Sequence, residues 1–164
     1  MPAADAADVA AYLKALGLDG IETFTSRLRI QKSVFLLNEF GAHLPFEHHW
    51  YVHGPYSPGL TRELFAEANQ PTNARALGAD ELQIVNTFRK FLGESFYSVD
   101  DLELLVSLIY LIEHGPREGY ESKKEIIGFL REAKPHFATE QVEAAWDKIE
   151  KAGFWKVYLV KVKH

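Results

Sequence analysis

The sequence predicts a mainly α fold with small β elements, an α+β protein whose helical core leads into a winged-helix-like C-terminal half. Three observations carry that prediction. Apolar residues recur at helical spacing in one segment after another. The strongly β-prone stretches are short, the aromatic run HWYV and the tail FWKVYLVKV. Gly and Pro punctuate the chain between the periodic segments. With 164 residues, 47% apolar and 13% aromatic, the chain suits a single compact domain over residues 1–164. Subdomains over 1–70 (helix–strand–helix) and 79–164 (winged-helix-like) are the alternative division.

Residues 5–16 place Val9, Leu13 and Leu16 along one face of an Ala-rich helix that Gly17 ends. A second helix starts near Thr25 or Ser26 and stops at Gly41. Its Leu28, Val34, Phe35, Leu36 and Leu37 are so dense that much of its circumference must be covered. Pro45 breaks the chain, and Trp50, Tyr51 and Val52 make residues 48–53 a short strand. Ser57 followed by Pro58 is a good helix start, with the helix running to about Asn69. The segment QPTNARALG, residues 70–78, is the most loop-like and the natural boundary between halves. Beyond it, Asp80 caps a helix to Leu92, Ser98 starts one that ends at His114-Gly115-Pro116, and Ser122 starts one that Pro135 ends. A last helix runs from Thr139 to Gly153, before the β-prone tail. Helix, helix, helix, Gly, strand is the order of a winged helix-turn-helix unit.

Composition excludes several classes. Cysteine is absent, which removes disulfide scaffolds, Cys-ligated zinc or iron–sulfur sites and thiol catalysis, and fits a reducing cytoplasm. The start MPAADAADVAAYLKALG does not read as a signal peptide, and the longest apolar run is too short to span a bilayer. The expectation is a cytoplasmic protein without membrane contact.

Few constellations suggest chemistry. His43, His48, His49 and His53 lie close in sequence, and His49 with His53 would share one strand face, the weak metal candidates of the chain. Without cysteines, and with Glu47 as the nearby carboxylate, they read better as loop and edge histidines; no metal and no cofactor is expected. GPYSPG lacks the Lys-Ser/Thr of a phosphate loop, and its prolines remove backbone donors. Arg27, Arg29 and Lys32 form a partial basic face in a chain of net charge −5. Together with Lys156, Lys161 and Lys163 they are the candidates for nucleic-acid contact. The presumptive reading helix, however, carries Glu140, Glu143, Asp147 and Glu150, which argues against major-groove docking. Asp100, Asp101 and Glu103 sit at a helix start, where the dipole accounts for them, and no hydrolase or metalloprotease motif occurs, so no catalytic residue is assigned.

RLRIQKSVFLLNEFG followed by HHWYVHGPYSPGLTRELF resembles the YwgA-like proteins. The matching positions are Arg29, Gln31, Lys32, Phe35, Leu36 and Leu37, then Tyr51, Gly54, Pro55, Tyr56, Ser57 and Leu60. SKKEIIGFLREAKPHFATEQVEAAWDKIEKAGF is similar to the C-terminal part of the same chains. The wider group includes the SocA-like (Panacea) antitoxin proteins and the GepA-like proteins. Where SocA-like chains follow Gly-Pro with Val, this one has Tyr-Ser, closer to the YwgA-like branch. The resemblance implies a non-enzymatic module that binds a protein partner, a toxin or another protein of the same locus, in an antitoxin-like or adaptor role, with homodimerisation also open. The surface expected to do so is the basic and tyrosine set Arg29, Lys32, Tyr51 and Tyr56. The alternative is a winged-helix nucleic-acid-binding regulator in a mobile-element or defence setting.

Overall fold

The computed structural model describes residues 7–18, 20–68 and 74–153, which are mostly helical with one two-stranded antiparallel sheet. The chain divides into two compact units, Met1–Leu102 and Glu103–His164.

The first unit is organised by the long helix of the Gln-Lys motif. Its elements are α1 (Asp8–Leu16), α2 (Phe24–Glu39), β1 (His49–Tyr51), β2 (Gly54–Tyr56), α3 (Pro58–Ala68) and α4 (Ala79–Leu92). A 3-10 turn over Gly93–Tyr97 leads into α5 (Val99–His114). Every residue of α2 from Ile30 through Leu37 is buried, as its dense apolar content requires. The helix begins at Phe24, one or two residues before the start near Thr25 or Ser26 that its sequence suggests. Thr23, extended, accepts the Ser26 N–H on its Oγ1 at 3.0 Å, so Ser26 is a third-position donor and not the cap. After α2 the chain folds back, and Asn38 clamps it: its Oδ1 accepts the Leu44 N–H at 2.6 Å and its Nδ2 donates to the Leu44 carbonyl at 3.0 Å.

β1 and β2 pair through His49↔Tyr56, Trp50↔Pro55 and Tyr51↔Gly54, leaving Val52 and His53 as the turn. The expected strand over 48–53 is therefore shorter, and Gly54-Pro55-Tyr56 is a strand of its own. The turn closes because Gly54 adopts φ +82°, a left-handed angle that a side chain would strain. Pro55 is tolerated because a two-stranded sheet always has an open edge. Ser57 Oγ accepts the Leu60 N–H at 3.3 Å and starts α3 as predicted.

Gly78, not Asp80, precedes α4, with Glu81 accepting its N–H at 2.9 Å. Val85, Phe88 and Leu92 are buried, while Leu82, expected on the same face, is 47% exposed. α4 packs on α1 and α2. For that reason the division of the chain falls inside α5 and not at the 70–78 loop.

The second unit contains the rest of α5, a 3-10 turn over Gly115–Glu118, α6 (Lys123–Ala133) and α7 (Thr139–Ala152). Ser122 Oγ accepts the Glu125 N–H at 3.1 Å, and Gln141 accepts the Ala138 N–H at 2.8 Å, which caps the two helices. Leu105, Leu108, Ile112, Ile126, Leu130, Val142, Trp146 and Ile149 supply the core. Three helices thus follow in the order predicted. The expected wing strand over 154–162, with Lys156, Lys161 and Lys163, falls outside the described residues. Among the described residues no helix is long and apolar enough to cross a membrane.

Candidate functional site

The motif residues Gln31, Lys32, Pro55 and Ser57 meet in one buried arrangement between α2, the hairpin and the start of α3. Gln31 is fully buried and uses both ends of its amide. Its Oε1 accepts the Ser57 N–H at 2.9 Å, while Nε2 donates to the Ser57 carbonyl at 2.8 Å and to Thr61 Oγ1 at 2.9 Å. Lys32, also fully buried, donates from Nζ to the Pro55 carbonyl at 2.8 Å and to the His53 carbonyl. A buried ammonium is costly unless its protons are matched, and here backbone oxygens of the hairpin match two of them.

His48 completes the arrangement. Its Nε2 donates to the Gln31 carbonyl at 3.1 Å and its ring meets the Phe35 edge at 5.5 Å. Burial, reinforced by the Lys32 charge, pushes its pKa down to about 4. The imidazole is thus neutral at neutral pH, with the proton on the nitrogen that faces the carbonyl.

The fate of each expected site residue follows from this packing. Lys32, expected on the surface, is fully buried, because its helix is covered on every side from Ile30 to Leu37. Arg29 is half-buried, donates from Nη2 to the Tyr97 carbonyl at 3.1 Å, and leaves a buried Nε without a partner. Tyr51 is 46% exposed and meets Tyr56 edge-on at 5.5 Å, and the Tyr56 hydroxyl bonds to Thr61 Oγ1. Arg27 donates from Nη1 to the Ile21 carbonyl at 2.8 Å. The three cations of α2 therefore do not form a shared basic face. His49 lies 3.8 Å from Glu47, both side chains largely in solvent. His53 is in the turn, so it does not share a strand face with His49 as expected, and its ring packs edge-on against Phe24 at 5.2 Å. Among the described residues no group of three potential metal ligands assembles.

Two features escaped the motif reading. Phe24, Val52, Phe65 and Tyr97 are exposed at 53%, 86%, 49% and 71%. Isolated aromatic positions carry no sequence pattern that separates surface from core. In the second unit, Glu103 and Lys134 are both buried and lie 3.4 Å apart, with His136 3.7 Å from the same carboxylate oxygen. The dipole at the start of α5 does not account for Glu103, whose partners lie more than thirty positions along the chain.

Comparison with protein-family models, with curated proteins and with solved structures finds no match to this chain.

Proposed function

We propose that this chain is a non-enzymatic protein-interaction module, antitoxin-like or adaptor-like, that holds a protein partner against the surface of its first unit. One observation carries the reading. Among the described residues, the exposed large apolar side chains Phe24, Tyr51, Val52, Phe65, Leu82 and Tyr97 all belong to the first unit. Exposed aromatic side chains of this kind are what protein interfaces are enriched in. The likeness of the Gln-Lys and Gly-Pro-Tyr-Ser segments to YwgA-like and SocA-like proteins supports the same reading. So does the arrangement of those segments, whose polar groups are spent on holding the hairpin.

Photo-crosslinking from Tyr51, Phe65 and Tyr97 in the native host tests it. The expected result is one protein captured in stoichiometric amount, encoded near this gene and harmful when expressed alone. Capture of nothing at any of the three positions overturns the reading. So does a salt-sensitive complex with DNA at low ionic strength without a protein partner, since the phosphate term is strongest there.

A further inference from the structure

Arg27 occupies an unusual position for a cation in an acidic chain. Its guanidinium lies 6.0 Å from the centroid of Phe24 and 5.9 Å from that of Phe65, between two rings that are each about half exposed. Nη1 donates to the Ile21 carbonyl at 2.8 Å. A guanidinium has five N–H donors, and that bond uses one of them. No carboxylate among the described residues lies within ion-pair distance of Arg27. The contrast is Arg75, whose Nη2 reaches Asp8 at 2.7 Å and Glu81 at 2.6 Å. With 23 acidic against 18 basic residues, an arginine beside two aromatic rings and without a carboxylate among the described residues stands out. The hairpin turn joins the same patch: the His53 ring meets the Phe24 edge at 5.2 Å, and Val52 beside it is 86% exposed.

Resting on the interaction reading above, we propose that Phe24, Arg27, Phe65 and the Val52–His53 turn form the docking surface for a protein segment that presents a carboxylate side chain flanked by apolar residues. The two rings and Val52 take the apolar flanks. Arg27 takes the carboxylate, in the forked geometry that a guanidinium offers and an ammonium does not. The rings hold the guanidinium in place beforehand, so less rotamer freedom is lost on binding. A chain of net charge −5 is poorly suited to a polyphosphate backbone or an anionic membrane, each of which needs a cluster of cations.

The test uses the full chain and short labelled synthetic peptides in which a central Glu is flanked by Leu on both sides, with Gln and Lys counterparts. The Glu peptide is expected to bind about tenfold tighter than the Gln peptide, the scale of a charge-assisted hydrogen bond. Arg27→Gln should erase that preference, Arg27→Lys should restore only part of it, and Phe65→Ser should weaken the Glu and Gln peptides alike. Thermal melts confirm that each variant is folded. Equal binding of Glu and Gln peptides overturns the proposal, as does binding that survives both Arg27→Gln and Phe65→Ser. No binding of any peptide also overturns it, and so does Arg27-dependent binding of anionic vesicles or single-stranded DNA in place of peptides. A partner cross-linked from Tyr97, with the peptide panel silent, sinks this proposal and leaves the interaction reading standing.

Discussion

Each unit of this protein buries a lysine, and the contacts that hold the two differ in kind. In the first, Lys32 donates to the backbone carbonyls of His53 and Pro55. In the second, Lys134 faces the carboxylate of Glu103 at 3.4 Å. A carboxylate partner can be replaced together with its lysine, because both are side chains. Backbone carbonyls cannot be mutated away, so replacing Lys32 with a side chain that has no donor strands them. The first lysine dictates a conformation, whereas the second balances a charge.

Removal of Lys32 should have the largest effect. Lys32→Ala opens a cavity and leaves carbonyls unsatisfied, and we expect a loss of about 4 kcal/mol in urea unfolding. Faster amide exchange in β1 and β2 than in the helices of the second unit should accompany it. Lys32→Met, which restores volume alone, should recover less than half of the loss; full recovery would show that the ammonium's hydrogen bonds are dispensable.

Next comes the second lysine. Glu103→Leu leaves Lys134 buried without its carboxylate and should cost about 3 kcal/mol. The double change Glu103→Leu with Lys134→Met should return to within about 1 kcal/mol of the native chain, since a buried pair is often replaceable by packed apolar residues. Denaturation of the single and double variants checks both values. A double variant as unstable as the single would erase the distinction between the two lysines.

Protonation probes the first arrangement without mutation. The folded pKa of His48, about 4, lies below the ordinary 6.5. Between those values the unfolded chain takes up a proton that the folded chain refuses. The contribution of His48 to stability should therefore be level above about pH 6.5 and fall as pH drops toward 4. That fall is about 2 kcal/mol once the remaining solvent contact of the ring is allowed for. His48→Phe keeps the packing on Phe35 and should flatten this part of the pH profile relative to the native chain. The smallest expected effect is at His43, a non-glycine residue at φ +52°. His43→Gly should relieve that angle and raise stability by less than about 1 kcal/mol, read as a small rise in Tm.

Much of the helical skeleton was legible because it rests on local chemistry. Ser57, Ser98 and Ser122 start helices as their type and position imply, and Gly17 and Gly153 end them with φ +71° at both. The hairpin was half legible. Its aromatic strand stood out, but Gly54-Pro55-Tyr56 looked like a turn, because a proline in a strand is tolerated only where a partner strand lies on one side. The buried roles of Gln31 and Lys32 were not legible, since polarity alone argues for the surface. Burial of such residues depends on carbonyls more than twenty positions away. The Gln-Lys and Gly-Pro-Tyr-Ser segments are thus spaced for this packing, and the candidate docking residues Phe24, Arg27 and Phe65 take no part in its hydrogen bonds.

The pairing Tyr51↔Gly54 leaves room for a turn of two residues and no more. One inserted residue between Val52 and His53 would shift the His53 carbonyl away from the Lys32 ammonium and turn the following side chains to the opposite face. Loops at protein surfaces usually accept insertions, tags and grafted epitopes. This one is a gauge block, and its length is part of the core.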